Sequence, residues 1–133
     1  MTLEEKINEL EHKYQLKLSD EFKELILRVS MFDYCGKKIL TPIGTLVEFN
    51  NFLLSDDVYE QRDILNWYKT TRHSHPDLLV FGFGGSNESY CIKVIGENCG
   101  SVYLLDGDED ENTERIIKIA PSITEFIKSL RNE

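Results

Sequence analysis

The stretch Leu78-Leu79-Val80-Phe81-Gly82-Phe83-Gly84-Gly85-Ser86-Asn87-Glu88-Ser89-Tyr90-Cys91-Ile92-Lys93-Val94-Ile95 decides the fold. Leu78-Leu79-Val80-Phe81 and Tyr90-Cys91-Ile92-Lys93-Val94-Ile95 are short runs rich in β-branched and aromatic residues, divided by glycine, asparagine and an acidic residue, the pattern of two strands and a short connection. Val102-Tyr103-Leu104-Leu105 and Ile116-Ile117-Lys118-Ile119 repeat it downstream. Four consecutive runs with short links predict a largely antiparallel meander, because parallel neighbours need long crossovers.

The flanks read differently. Thr2 with Glu5 forms a capping box, and Leu3, Ile7, Leu10 and Tyr14 recur at helical spacing, which predicts a helix over residues 3–14. Ser19 is an N-cap followed by Asp20 and Glu21, where the helix dipole favours negative charge, and Phe22, Leu25, Ile26 and Val29 give that second helix an apolar stripe. Lys38-Ile39-Leu40-Thr41 reads as a short strand. Thr45 and Glu48 resemble a further capping box, so residues 46–53 are expected to be helical, and Asp57 is a candidate cap for a helix ending near Lys69. Pro121, Ser122 and Glu125 start a last helix with Ile123, Phe126, Ile127 and Leu130 inward. The expected class is α+β: N-terminal helices, a central antiparallel sheet and a C-terminal helix in one domain over residues 1–133.

Size and charge bound the function. The 133 residues are enough to bury about two-thirds of the unfolded surface, so a core needs neither disulfide nor metal. The net charge of −9 and a pI near 4.8 argue against a nucleic-acid binder that works by neutralising phosphates. No apolar stretch reaches the length of a membrane span, and the N-terminal residues do not read as a secretory signal. Cys35, Cys91 and Cys99 form no CxxC pair and leave an odd thiol, which suits inert thiols in a reducing cytoplasm.

Four constellations invite a chemical reading. Gly82-Phe83-Gly84-Gly85 follows a strand but fails as a dinucleotide fingerprint, because Asn87 stands where the third glycine belongs and a strand follows; it is expected to be a flexible connection. His73-Ser74-His75 offers two imidazoles but no further ligand at metal spacing, and Cys91 lies in an apolar alternation that suits a packed core thiol. Asp106-Gly107-Asp108-Glu109-Asp110-Glu111 opens like a calcium loop and then departs from it at the positions that need glycine and a bidentate glutamate. Either a solvated acidic loop or a protein-binding surface remains for this run. With Glu114, it carries −6 of the −9 net charge and contains no Lys or Arg. Trp67 is a candidate aromatic anchor for the same partner, since Trp serves both in cores and in binding hot spots. No carboxylate stands isolated in an apolar context that would raise its pKa, so no catalytic residue, metal or cofactor is expected.

Taken together, the segments resemble the SUKH superfamily, which groups bacterial immunity proteins of polymorphic-toxin and contact-dependent systems with a yeast cell-wall synthesis regulator and the bacterial Syd protein. Ile7-x-x-Leu10-Glu11 and Leu16-x-Leu18-Ser19-Asp20-Glu21-Phe22-Lys23-Glu24-Leu25 look like the family's opening helix and second helix. Leu79-Val80-Phe81-Gly82-Phe83-Gly84-Gly85, Tyr90-Cys91-Ile92 and Gly100-Ser101-Val102-Tyr103-Leu104-Leu105-Asp106-Gly107-Asp108 look like its glycine-bearing hairpin and "G-x-V-Y-x-x-D-H-D" strand. Ile119-Ala120-Pro121-Ser122-Ile123-Thr124-Glu125-Phe126-Ile127 resembles its closing helix. Two departures stand out: Val29-Ser30-Met31-Phe32 replaces a common "N-G-G", and Lys93 stands where an Asp is frequent.

The resemblance implies a non-catalytic protein that binds another protein, and for bacterial relatives a cognate toxin, nucleases among them. The expected contact residues are Asp106, Asp108, Glu109, Asp110, Glu111, Glu114 and Trp67. The alternative is a regulatory adaptor that binds a cellular partner with no toxin involved.

Overall fold

In the computed structural model, the described residues are 2–54, 63–85, 88–108 and 113–132. The elements run α1 (Leu3–His12), α2 (Asp20–Arg28), β1 (Lys38–Leu40), β2 (Leu46–Phe52), α3 (Ile64–Thr71), β3 (Leu78–Gly84), β4 (Glu88–Lys93), β5 (Val102–Asp108), β6 (Thr113–Ala120) and α4 (Ile123–Ser129). The six strands form one curled sheet in the order β1-β2-β3-β4-β5-β6, every neighbour antiparallel. The α+β meander expected from the sequence is therefore present; β1 is the short strand expected at 38–41, and β2 is a further one.

Side-chain caps start the helices where the sequence places them. The Thr2 hydroxyl accepts the Glu5 N–H at 3.1 Å while the Glu5 carboxylate accepts the Thr2 N–H at 2.9 Å. Ser19 and Ser122 cap α2 and α4 in the same way, accepting the N–H of Phe22 and Glu125. The first helix ends at His12, one half-turn before Tyr14.

Two expectations are corrected. Residues 46–53 are not a helix: residues 46–52 form β2, and the Thr45 hydroxyl faces that of Thr41 at 2.7 Å to close the β1–β2 hairpin rather than cap a helix. The helix before the meander begins at Ile64, with Asp63 as its N-cap, accepting the Asn66 N–H at 2.7 Å. The expected cap Asp57 lies outside the described residues. Gly82 and Gly84 are also not a connection but the last part of β3.

The main core lies on one face of the sheet. Ile7 and Leu10 of α1, Phe22, Leu25 and Ile26 of α2, and Ile123 and Phe126 of α4 cover Phe49, Phe52, Phe81, Tyr90, Ile92 and Leu104 of the strands. Six aromatic rings organise it: Phe126 packs against Phe49, Phe81 and Tyr90 with centroids 5.9, 5.7 and 5.4 Å apart, Phe22 meets Phe81 at 5.8 Å, and Phe52 meets Phe49 at 4.8 Å. Buried rings contribute about 1.5–3 kcal/mol each through lost water contact, with a smaller bonus from edge-to-face geometry. The Tyr90 hydroxyl keeps a partner, donating to the Glu48 carbonyl at 2.9 Å, and its burial, reinforced by Glu88 and Glu48, holds its pKa far above the usual value.

Candidate functional site

A β-bulge in β3 builds the second face of the sheet. Val80 pairs with Cys91, but Gly82 rather than Phe81 pairs with Tyr90, and Phe83 pairs with Ser89. The extra residue sends both Phe81 and Gly82 towards the helices, so Phe83 emerges beside Val80 on the opposite side. Gly82 is required there. A Cβ would lie 2.8 Å from the Phe49 ring and 2.9 Å from the Asn51 carbonyl oxygen.

The second face carries its own apolar cluster of Leu53, Leu78, Val80, Cys91 and Leu105, with Trp67, Phe83 and Tyr103 partly buried against it. Cys91 is fully buried here, as expected of a packed core thiol, whereas Cys35 is exposed and Cys99 is intermediate. The register lays out two rows. Phe83, Ser89, Leu105 and Ile116 cross β3 to β6, and Val80, Cys91, Tyr103 and Lys118 run beside them. Trp67 stands over the first row, its ring edge-on to Phe83 at 5.3 Å and 85°. Ile116, directly opposite Leu105, is half exposed at 50%, so the apolar surface continues outward to the edge of the sheet.

Helix α3 is held at its N-cap. Asp63 is almost buried and accepts from Lys6 Nζ at 3.1 Å as well as from the Asn66 backbone and side chain, which ties α3 to α1. Tyr68, one residue past Trp67, points instead into the main core and donates to the Pro76 carbonyl at 2.7 Å. Successive residues of one helix thus serve opposite faces of the sheet.

Three of the expected acidic residues lie on strands. Asp106 and Asp108 belong to β5 rather than to a loop, and Glu114 belongs to β6, opposite Gly107. Asp106 faces Arg115 across the two strands and forms an ion pair with its guanidinium. Glu109, Asp110 and Glu111 lie outside the described residues. Trp67 and the acidic hairpin converge through Leu105, which belongs to the Trp67 cluster and directly precedes Asp106.

Phe83, Tyr103 and Ile116 complete this surface and were not singled out in the sequence. The signal available for Tyr103 and Ile116 was strand alternation, which puts them on the same side as Leu105 and Lys118; Phe83 had none, because the bulge inverts its side. Beside Tyr103, the Lys93 ammonium sits 6.0 Å from the ring and donates to Asp77 at 2.7 Å. That hydrogen bond raises the Lys93 pKa. Desolvation pushes the Asp77 carboxyl up, but the Lys93 hydrogen bond and charge outweigh it and leave the carboxyl below its ordinary value.

His73 is exposed and His75 intermediate on the turn after α3. Among the described residues no three His, Cys, Asp or Glu side chains are grouped to hold a metal, and no helix is long and apolar enough to cross a membrane. The arrangement is an α+β sheet with one face closed by helices and the other carrying an aromatic strip, with acidic residues of β5 and β6 beyond its end. A model described as the SMI1 / KNR4 family (SUKH-1) matches residues 1–129, and the chain belongs to that family, which is known for immunity proteins in polymorphic toxin systems. No curated protein and no solved structure matches the chain.

Proposed function

We propose that this chain is a cytoplasmic immunity protein that binds and neutralises a cognate toxin through the acidic β5–β6 hairpin and the Trp67 face. The observation that supports it best is the convergence of Trp67, Phe83 and Leu105 at the root of the strands that carry Asp106, Asp108 and Glu114. A partly buried aromatic strip near concentrated carboxylates is the composition of a binding surface: the rings supply desolvation energy and the charge steers a basic partner. A nuclease fits that description, since its substrate cleft must be basic, and carboxylates that occupy the cleft exclude the nucleic acid.

The test is a pull-down with the protein encoded beside this gene, together with a toxicity assay. Simultaneous reversal of Asp108, Glu109 and Asp110 to Lys is expected to weaken binding about tenfold or more and to steepen the loss at low salt. Trp67→Ala is expected to raise the dissociation rate. Unchanged binding after both substitutions would overturn the site, and failure to protect cells from the neighbouring toxin would overturn the function.

A further inference from the structure

The two edges of the sheet are treated differently. At one edge β1 is three residues long, and the backbone N–H and C=O of Lys38 that point away from β2 are both taken by Arg131, at 2.7 and 2.9 Å. At the other, β6 is eight residues long and pairs with β5 alone; among the described residues no backbone hydrogen bond reaches its outer side. A long edge strand with its amides and carbonyls unpaired is a template for another strand unless proline, a covering segment or outward charge blocks it. Thr113-Glu114-Arg115-Ile116-Ile117-Lys118-Ile119-Ala120 contains no proline. Of its cations, Arg115 is engaged by Asp106 within the chain, and Lys118 is exposed with no ion-pair partner among the described residues.

From this geometry we infer that β6 is a self-association edge, on which a second copy of this chain docks antiparallel about a twofold axis at Ile116. The strand is complementary to itself in that register. Ile116 meets Ile116 of the second copy, and Glu114 stands opposite Lys118 at both symmetry-related positions, giving two opposite-charge cross-strand pairs. Moving the axis one residue back, to Arg115, sets Arg115 against Arg115 of the second copy, a repulsive pair. Moving it one residue forward centres the contact on Ile117, which packs against the main core, and sets Lys118 against the exposed Ile116. Only the register at Ile116 joins like with like and opposite charges together.

The twofold stands perpendicular to the sheet, so both copies present the Trp67 face on the same side and the apolar row Phe83, Ser89, Leu105, Ile116 continues across the junction.

Sedimentation equilibrium of the full chain alone, over about 5–500 µM, reads the association directly and is independent of any toxin. Dimers that dissociate on dilution are expected. Lys118→Glu is expected to weaken the association about tenfold, because two attractive pairs become repulsive, and Glu114→Lys to do the same. The double variant Glu114→Lys/Lys118→Glu restores opposite charge across the axis and is expected to recover most of the affinity. Ile116→Lys gives a monomer whose thermal midpoint matches that of the wild type at concentrations where the wild type is dissociated, since Ile116 is already half exposed. A monomer at every concentration, single reversals without effect, or a double variant no better than the singles would each overturn the inference.

Discussion

Gly82→Ala tests the bulge that creates the second face. The new methyl would sit 2.8 and 3.0 Å from two carbons of the Phe49 ring and 2.9 Å from the Asn51 carbonyl oxygen, distances that require movement of several tenths of an ångström. Neither neighbour yields cheaply. The oxygen belongs to the backbone of β2, and the Phe49 ring is hemmed in by Phe52, Tyr90 and Phe126, with centroids at 4.8, 5.1 and 5.9 Å. Overpacking of a tight core costs about 1–3 kcal/mol, and removing a glycine returns about 0.4–1 kcal/mol through the unfolded chain, so the net loss is about 1–2 kcal/mol. With an unfolding entropy of about 2.1 cal/mol/K per residue, a chain of this size loses about 4–7 °C in Tm. Calorimetry and urea melts followed by the emission of the single tryptophan, Trp67, measure it. Gly85→Ala is the control: its nearest neighbours lie 3.7–3.8 Å away on Glu48, and a change within about 0.5 kcal/mol is expected. Repeating Gly82→Ala in a Phe49→Leu background should recover part of the cost. An unchanged or raised Tm for Gly82→Ala, or the same cost with and without the Phe49 ring, would refute the close-packing account.

Two further outcomes follow from the polar contacts. Asp63→Ala removes the α3 cap and strands the nearly buried Lys6 ammonium, with an expected loss of about 2–4 kcal/mol in urea melts, while Lys6→Met leaves the cap in place and costs less; equal losses would contradict the dual role of Asp63. The Asp77 carboxyl has a lowered pKa, so its contribution is complete above the unfolded value near pH 4 and is lost as pH falls through the lower folded value; the Tm gap between wild type and Asp77→Asn should be constant from about pH 5 to 7 and close below pH 4. A gap that persists unchanged into acid would contradict the Lys93 pairing.

How far the sequence revealed this fold depends on whether each strand keeps its period of two. Residues 102–105 and 116–119 alternate cleanly between Leu104 and Ile117 on one face and Leu105 and Ile116 on the other, and both strands were legible. In β2 the register shifts between Phe49 and Asn51, so the buried residues Phe49 and Phe52 stand three apart, a helical spacing, and the segment imitates a helix. Thr45 and Glu48 strengthened the imitation because capping boxes and hairpin closures draw on the same side chains. In β3 the glycines suggested a connection, yet Gly82 is there to admit a ring from the neighbouring strand, and that approach is a tertiary fact without local signature. For the same reason Trp67 and the acids could be nominated separately, but their meeting at Leu105 depends on α3 lying over the end of β3.

On the proposed reading, the two parts of the surface act at different stages of binding. Charge attracts over roughly a Debye length, about 8 Å at physiological salt, so the carboxylates on the hairpin influence a basic partner before contact. Asp106 contributes least to that field, because Arg115 is bound to it, and the weight falls on the remaining acids of the run. The apolar side chains act only on contact, when Trp67, Phe83 and Ile116 lose the water they still touch. Setting Asp106 against Arg115 at the base of the hairpin serves both stages, since the ion pair fixes the strands that carry the remaining acids while leaving Leu105, one residue away, packed in the Trp67 cluster. A partner steered to the hairpin is thereby delivered to the aromatic strip, which explains why acids concentrated at one end of the sheet are more useful than the same charge spread over the surface.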